Sequence, residues 1–376
     1  MDEVKQLRAF LRDANSIDIN ALARSFEHSS KSNNRYKVSF IAFISKKNPA
    51  ILFDEWKRND FIYSLEKYYD FYEIGLERTI SRSDILNGKR NVSGSFCIFQ
   101  HSNTDIWIGF TSDSPDFFDN GVVRFIESYK PDISRIYLSS GELRSLFEKL
   151  EEKLSSEIFV KKAVLYSHIK EGQINFKKEH FQELFNEAEN DDRYVDKIEY
   201  YLKKKDEIIY HGFISRDLIS YYYSGNIHYF LNSFVSLIAD RGKVKSEVFE
   251  NRERSFGNDE IKPINIIFAK NVFKNRADNL RLIKALENVN RGAVAVYHQN
   301  PYLHISFLDF IDGSNFDIFA VGSNEISIIP NFKCSMHSLM RVSEQISKDF
   351  DEGQIKRSCS PEYSLRDFIS DKDDYE

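Results

Sequence analysis

The stretch that decides the fold is Ala293–Phe332, AVAVYHQNPYLHISFLDFIDGSNFDIFAVGSNEISIIPNF. Its runs of β-branched and aromatic residues are separated by three groups that favour turns: Asn300-Pro301, Asp312-Gly313-Ser314-Asn315 and Gly322-Ser323-Asn324. Such runs predict four short strands joined by tight reversals. The stretch therefore predicts an antiparallel β-meander.

Alternation along the predicted strands divides their side chains between two faces, because successive residues of a strand point to opposite sides of the sheet. The residues expected to line a core face are Ile305, Phe307, Phe316 and Ile318. The residues expected to point outward or into a cleft are His304, Ser306 and Asp317.

The segments around the meander predict the fold class. A buried-type strand, Pro263–Ala269, and a helix ending before Gly292 precede it, and the helix Ser335–Phe350 follows it. This order predicts an α+β fold with mixed or antiparallel sheets, helices packed on one face, and a C-terminal meander followed by a closing helix. An earlier block, residues 93–166, has a related order of strands and helices, without a convincing residue-level repeat.

Two regions between these blocks have patterns that favour helices. The aromatic segment Phe61–Tyr72 predicts a helix, although its pattern is ambiguous. Helical spacing also connects Tyr194, Ile198, Tyr201 and Leu202. Farther upstream, Ser139-Ser140-Gly141-Glu142 has the arrangement of a capping box and predicts a helix over the residues that follow.

The length of 376 residues favours two domains or one large elaborated domain. The predicted organisation has four parts: an N-terminal α+β region with a helical start (1–240), a linker or loop (241–262), a C-terminal αβ region (263–350) and an acidic flexible tail (351–376).

Composition excludes a disordered chain, since 41% of the residues are hydrophobic and 14% are aromatic. The 32 Phe and 20 Tyr, with many Lys, Asn and Ile, suggest an AT-rich microbial or viral genome. Acids outnumber bases by 58 to 52, and nine acids against four bases lie after residue 348. The totals therefore predict no broad basic surface.

The lack of targeting signals in the sequence predicts a cytosolic location. The N-terminus lacks the apolar core of a signal peptide, and no run approaches the roughly 18 apolar residues that a membrane span needs. Three widely spaced cysteines form neither a disulfide framework nor a zinc motif. These features predict a reducing, cytosolic setting without a membrane anchor.

Several enzyme classes are unsupported because their motifs are missing. The sequence has no P-loop, dinucleotide fingerprint, nucleophile elbow, HExxH motif or EF-hand loop. The remaining catalytic candidates are His304, Asp309 and Asp317, since two carboxylates and an imidazole on neighbouring strands can hold a divalent ion and activate water. The alternative is that all three are ordinary turn, solvent-facing or packed residues.

The binding candidates fall into three groups. Arg124 and Arg135 can clamp a phosphate, or can pair with local acids. Arg216, Tyr222 and Tyr223 combine a cation with aromatic rings, as single-stranded nucleic acid binding uses, although tyrosines at this density also suit half-buried helix packing or a protein interface. The same set includes Phe213, Tyr221, His228 and Tyr229. The third group, Arg252 and Arg254, lies in the predicted linker or loop.

Together these observations predict a non-catalytic binding component of a cytosolic microbial multi-protein assembly, such as a genome-conflict or antiviral defence system. The expected partner is a protein, with nucleic acid as a second ligand. The alternative is a metal-dependent phosphodiesterase or nuclease that uses the Asp/His cluster of the meander. The sequence identifies no cofactor or metal ligands and leaves the oligomeric state open.

Overall fold

A computed structural model describes residues 38–68, 71–81, 89–102, 104–168, 173–176, 180–250, 252, 262–299, 302–320 and 322–357. The chain divides into two compact units, Met1–Ser246 (unit 1) and Glu247–Glu376 (unit 2). The described residues form two sheets in which the neighbouring strands are antiparallel, together with seven helices. The predicted α+β class is therefore confirmed.

Unit 1 is built on an 11-stranded sheet. Its strands are β1 (Val38–Ser45), β2 (Phe61–Tyr68), β3 (Phe71–Ser81), β4 (Lys89–Gln100), β5 (Ile106–Thr111), β6 (Ile133–Arg135), β7 (Glu157–Ser167), β8 (Gln173–Phe176), β9 (Arg193–Lys204), β10 (Glu207–Ser215) and β11 (Ile219–Gly225). Their order in the sheet is β2-β3-β4-β5-β1-β11-β10-β9-β7-β8, and β6 also pairs with β1.

Five helices accompany this sheet. They are α1 (Pro49–Glu55), α2 (Pro115–Phe117, continuing as the π-helical stretch Phe118–Val123 and then Arg124–Glu127), α3 (Ser140–Leu154), α4 (Phe181–Asn190) and α5 (Ile227–Tyr229, the π-helical stretch Phe230–Val235, then Ser236–Phe249). The capping box predicted at the start of α3 is present, because the side chains of Ser139 and Glu142 each bond to the backbone of the other residue.

Strand β1 is covered on both faces. Ile41 and Phe43 belong to the core that includes α1 and α2. Phe40, adjacent to Ile41 and so on the opposite face, lies 5.4 Å from Phe230 of α5 between ring centroids. Helices of the first half of unit 1 (β1 to α2) and of its second half (β6 to α5) therefore cover opposite faces of the sheet.

One order of elements recurs in the chain. The first half runs strand, helix, four-stranded meander, helix: β1, α1, β2 to β5, α2. The second half has the same order, with β8 and α4 inserted after the first strand of its meander. Unit 2 follows it as well, so the described part of the chain contains three versions of one arrangement.

A residue-level correspondence also links α2 and α5. Each begins at a polar cap, Ser114 or Asn226, whose side chain accepts a hydrogen bond from the backbone N–H three residues later. Each then has its π-helical stretch at the same distance from the cap. Four identities fall at the same spacing: Phe118, Asn120, Val123 and Ile126 correspond to Phe230, Asn232, Val235 and Ile238.

Unit 2 contains the predicted meander. Its elements are β12 (Ile264–Phe268), α6 (Arg276–Glu287), β13 (Gly292–His298), β14 (Leu303–Asp309), β15 (Asn315–Ala320), β16 (Glu325–Pro330), α7 (Met336–Asp349) and β17 (Gly353–Arg357). The sheet order is β13-β14-β15-β16-β12-β17. Ile305, Phe307, Phe316 and Ile318 are fully buried, which confirms the predicted core face.

Two helix predictions are wrong, because both regions form strands. Residues 61–68 form β2 and residues 71–81 form β3, with Phe61, Tyr63 and Leu65 on the same face as the core of the first half. Residues 193–204 form β9, whose pairing with β7 contains two irregularities in register. One of them, between Val164 and Leu165, adds Asp196 as an extra residue to β9. Tyr194 and Ile198 are therefore both buried at a spacing of four residues, which resembles one face of a helix.

The boundary between the units lies within the segment 241–262, but α5 occupies this segment as far as Phe249. The predicted tail 351–376 begins with a strand, since β17 pairs with β12. The helical start, Arg254 and residues 358–376 lie outside the described residues.

Candidate functional site

Asp309 lies on the buried face of the meander. Its side chain is fully buried, and Oδ2 accepts a hydrogen bond from Arg341 Nη1 of α7 at 2.5 Å. Oδ1 accepts a second hydrogen bond from the backbone N–H of Ile311 at 2.9 Å. The carboxylate therefore fastens the β14–β15 turn to α7.

His304 and Asp317 lie on the outer face, away from Asp309. The distance from His304 Nε2 to Asp317 Oδ1 is 3.7 Å. The structure thus brings two of the three predicted catalytic residues together and leaves the third on the opposite side of the sheet. Within the described ranges, no group of three or more His, Cys, Asp or Glu side chains is arranged to hold a metal ion.

Arg124 and Arg135 share the carboxylate of Glu127. Nη1 of Arg124 lies 3.1 Å from it and Nη1 of Arg135 lies 2.9 Å from it, while Nη2 of Arg135 reaches Asp217 at 2.5 Å. Burial acts to raise the pKa of Glu127, but attraction by Lys130 and the Arg135 hydrogen bond outweigh it and leave this pKa lowered. Both arginines therefore have the local acidic partners that were the alternative to a phosphate clamp.

Three other predicted binding residues are buried. The guanidinium of Arg216 lies 4.6 Å above the ring of Tyr194. The hydroxyl of Tyr222 donates to the carbonyl oxygen of Gly225 at 2.5 Å. Arg252 donates to the carbonyl oxygen of Val248 at 2.8 Å. These side chains serve packing and local backbone contacts.

Tyr223 belongs to an array that sequence reasoning did not assemble. It lies on the face of β9, β10 and β11 opposite to the packed residues Tyr200, Tyr210 and Tyr222, which contact the helices of the second half. Five side chains on this face form what we call the aromatic row: Tyr201, His211, Phe213, Tyr221 and Tyr223. At one end of the row, Tyr221 packs against Phe118 of α2, with 5.9 Å between ring centroids.

Successive rings of the aromatic row are in contact. Centroid distances are 4.5 Å from Tyr201 to His211, 4.6 Å from His211 to Tyr223, 6.2 Å from Tyr223 to Tyr221 and 4.9 Å from Tyr221 to Phe213. Backbone pairing positions them, since His211 lies opposite Tyr201 and Phe213 lies opposite Tyr221. All five side chains are half-buried.

A charged pair lies beside the row. Glu199 Oε1 is 2.7 Å from Lys161 Nζ and 2.8 Å from His211 Nε2. Because an ionised carboxylate only accepts hydrogen bonds, Nε2 of His211 is the donor. Lys161 Nζ also lies 5.7 Å from the ring centroid of Tyr201, within the range of a cation–π contact.

The surroundings of His211 and Tyr223 favour their uncharged forms. Burial lowers the pKa of His211, although the hydrogen bond with Glu199 opposes this shift. Burial raises the pKa of Tyr223 to about 12. In Glu199, burial acts to raise the pKa, but the hydrogen bonds with Lys161 and His211 outweigh it and lower the pKa. Lys161 and Glu199 therefore remain an ionised pair beside the row.

Sequence reasoning identified Phe213, Tyr221 and Tyr223 as an aromatic set but missed Tyr201, His211 and Lys161. The missed signal is alternation at every second residue: His211 and Phe213 in one run, Tyr221 and Tyr223 in the next. Because residues 194–202 were assigned to a helix, the strand pairing that places Tyr201 opposite His211 could not be predicted.

Comparison with known protein families finds no family model that matches the chain. Comparison with curated proteins finds no match either. Among the helices that the structure describes, none has both the length and the apolar character needed to cross a membrane.

Proposed function

We propose that this chain is a non-catalytic binding component of a cytosolic assembly, and that the aromatic row binds single-stranded nucleic acid by base stacking. The observation that supports this proposal is the row itself: five half-buried aromatic side chains in contact across three adjacent strands. Proteins that bind unpaired strands with little sequence preference stack successive bases on rings presented in this way.

The sheet preorganises the aromatic row for binding. Cross-strand neighbours hold the rings, so ordering them on binding costs less side-chain entropy than ordering rings on a mobile loop. Each stacked base contributes about 1–3 kcal/mol. A row of this size suits about two or three bases, the number that aromatic sheet surfaces stack in RNA-binding domains.

Lysines next to the row favour an anionic ligand. Lys161 and Lys197 are exposed, and Lys203 places its amine 4.5 Å above the ring of Phe159. The alternating register of β9 puts Lys197, Glu199, Tyr201 and Lys203 on one face. Lysines on this face of β9 can contact phosphates, and such contacts make nucleic-acid binding sensitive to salt.

Fluorescence anisotropy with a labelled oligothymidylate or oligouridylate of roughly 16 nucleotides tests this proposal. Tyr201→Ala and Tyr223→Ala are each expected to weaken binding by about 5- to 100-fold, because each removes a stacking ring. Tyr223→Phe keeps the ring and should retain affinity. Tyr229→Ala, which removes an exposed tyrosine outside the row, is the matched control.

Two outcomes would overturn the proposal. The first is wild-type affinity in both Tyr201→Ala and Tyr223→Ala. The second is a wild-type protein that binds neither oligonucleotide at about 50 mM salt while a purified protein partner binds in a manner that depends on Tyr223, which would make the row a protein interface.

A further inference from the structure

The outer face of the unit 2 meander carries a second group of rings. The ring of His304 lies between those of Tyr297 and Phe319, with centroid distances of 4.9 Å and 4.2 Å. Tyr297 is 67% exposed, so one of its ring faces is accessible to a ligand. These three side chains and the carboxylate of Asp317 are called the meander patch below.

Asp317 gives the meander patch a negative charge. It lies on β15 opposite Ser306, next to the pair formed by His304 and Phe319. Its side chain is 29% exposed. In the part of the chain that the structure describes, the carboxylate accepts no hydrogen bond, and His304 Nε2, at 3.7 Å, is the one basic atom within ion-pair distance.

The rest of the meander contains no compensating cation. Residues 292–330 include neither Lys nor Arg, although the whole chain has 52 of them. Asp309 is buried with Arg341, and the charged residues that alternation places on the outer face of the four strands are Asp317 and Glu325. This face is therefore acidic and aromatic, whereas lysines flank the aromatic row of unit 1.

We propose that the meander patch binds the guanidinium group of an arginine in a segment of a partner protein. Arginine fits both features, because its planar cation stacks on an aromatic face while its N–H groups donate to a carboxylate. Tyr297 supplies the accessible ring, Asp317 supplies the acceptor, and the rings of His304 and Phe319 continue the aromatic surface beside them. This site does not depend on the nucleic-acid binding proposed for unit 1.

A pair of short peptides tests the assignment with the full chain. One peptide has a single central arginine between glycine and serine residues, and the other has citrulline, which keeps the shape without the charge. Calorimetry or anisotropy is expected to show at least about 10-fold tighter binding of the arginine peptide. Asp317→Asn should remove this preference, and Tyr297→Ala should weaken binding about 3- to 10-fold.

Glu325→Gln is the matched control, since it removes the other acid of this face and should leave the preference for arginine intact. Equal binding of the two peptides by the wild-type protein would overturn the proposal, and so would an unchanged preference in Asp317→Asn. Loss of oligonucleotide binding in Tyr297→Ala would also overturn it, by making the patch a second base-stacking surface. Tyr201→Ala and Tyr223→Ala should leave peptide binding unchanged, which separates this test from that of the aromatic row.

Discussion

Replacement of Asp309 by alanine is expected to destabilise unit 2 by about 3 kcal/mol. The change removes a fully buried carboxylate, and with it the 2.5 Å hydrogen bond from Arg341 and the 2.9 Å hydrogen bond from the N–H of Ile311. Breaking a buried ion pair by removing one partner costs about 3–5 kcal/mol, because the other charge loses its compensation. Arg341 retains 16% side-chain exposure, so we take the lower end of this range.

Hydrogen exchange with mass spectrometry measures this change where it should occur. Peptides from β14 and α7 are expected to lose about 3 kcal/mol of protection free energy. Trp56 and Trp107, the two tryptophans of the chain, both belong to unit 1, so their fluorescence follows unit 1 separately. Asp317→Ala is the control, because Asp317 lies on the outer face of the same sheet and its removal should cost less than about 1 kcal/mol.

Unchanged protection of β14 and α7 in Asp309→Ala would refute the structural role of this carboxylate. If the variant were also to lose a magnesium- or manganese-dependent cleavage of phosphodiesters seen with the wild-type protein, Asp309 would return as a catalytic candidate. A loss of stability without any such cleavage in the wild-type protein would support the packing role.

Three further predictions concern unit 1. Gly225→Ala should cost roughly 2–4 kcal/mol in urea unfolding, because φ is +106° and a Cβ would overlap the carbonyl oxygen of Ile209; Gly141→Ala, at an open helical position, should be neutral or stabilising by up to about 1 kcal/mol. Burial lowers the pKa of His101 below 6.5, and attraction by Asp240 opposes this shift. The unfolded chain therefore binds more protons than the folded chain near this pH, so the free energy of unfolding should fall as the pH drops. His101→Asn should reduce this dependence of the free energy of unfolding on pH, and an unchanged dependence would exclude His101 as its source. Glu142→Ala should lower the melting temperature more than Glu148→Ala, since Glu142 both caps α3 and lies 2.9 Å from the buried Lys245; equal shifts would show that this pair contributes little.

The sequence predicted those elements whose signals are local. The meander followed from turn residues between alternating runs, and its core residues followed from that alternation. The α3 helix followed from a cap four residues long. In each case the deciding interactions lie within a few residues, so a pattern in the sequence contains them.

The elements that the sequence missed depend on distant partners. Tyr201 and His211 become neighbours only through the pairing of β9 with β10, and Asp309 has its role only through Arg341, 32 residues away. The predicted binding residue Tyr222 differs from Tyr223 by one position, yet a strand places the two on opposite faces. A binding site on a sheet face therefore cannot be located until the strands and their register are known.

The position of β1 in the middle of its sheet has a consequence for folding. Its sequence, VSFIAFIS, is entirely buried, and its partners β5, β6 and β11 all follow it in the chain. The last of them begins at Ile219, so at about 5–20 residues per second a ribosome needs roughly 10–35 s to supply it. During synthesis this apolar, uncharged segment lacks its final neighbour, and it is where aggregation of nascent chains and binding of chaperones should begin.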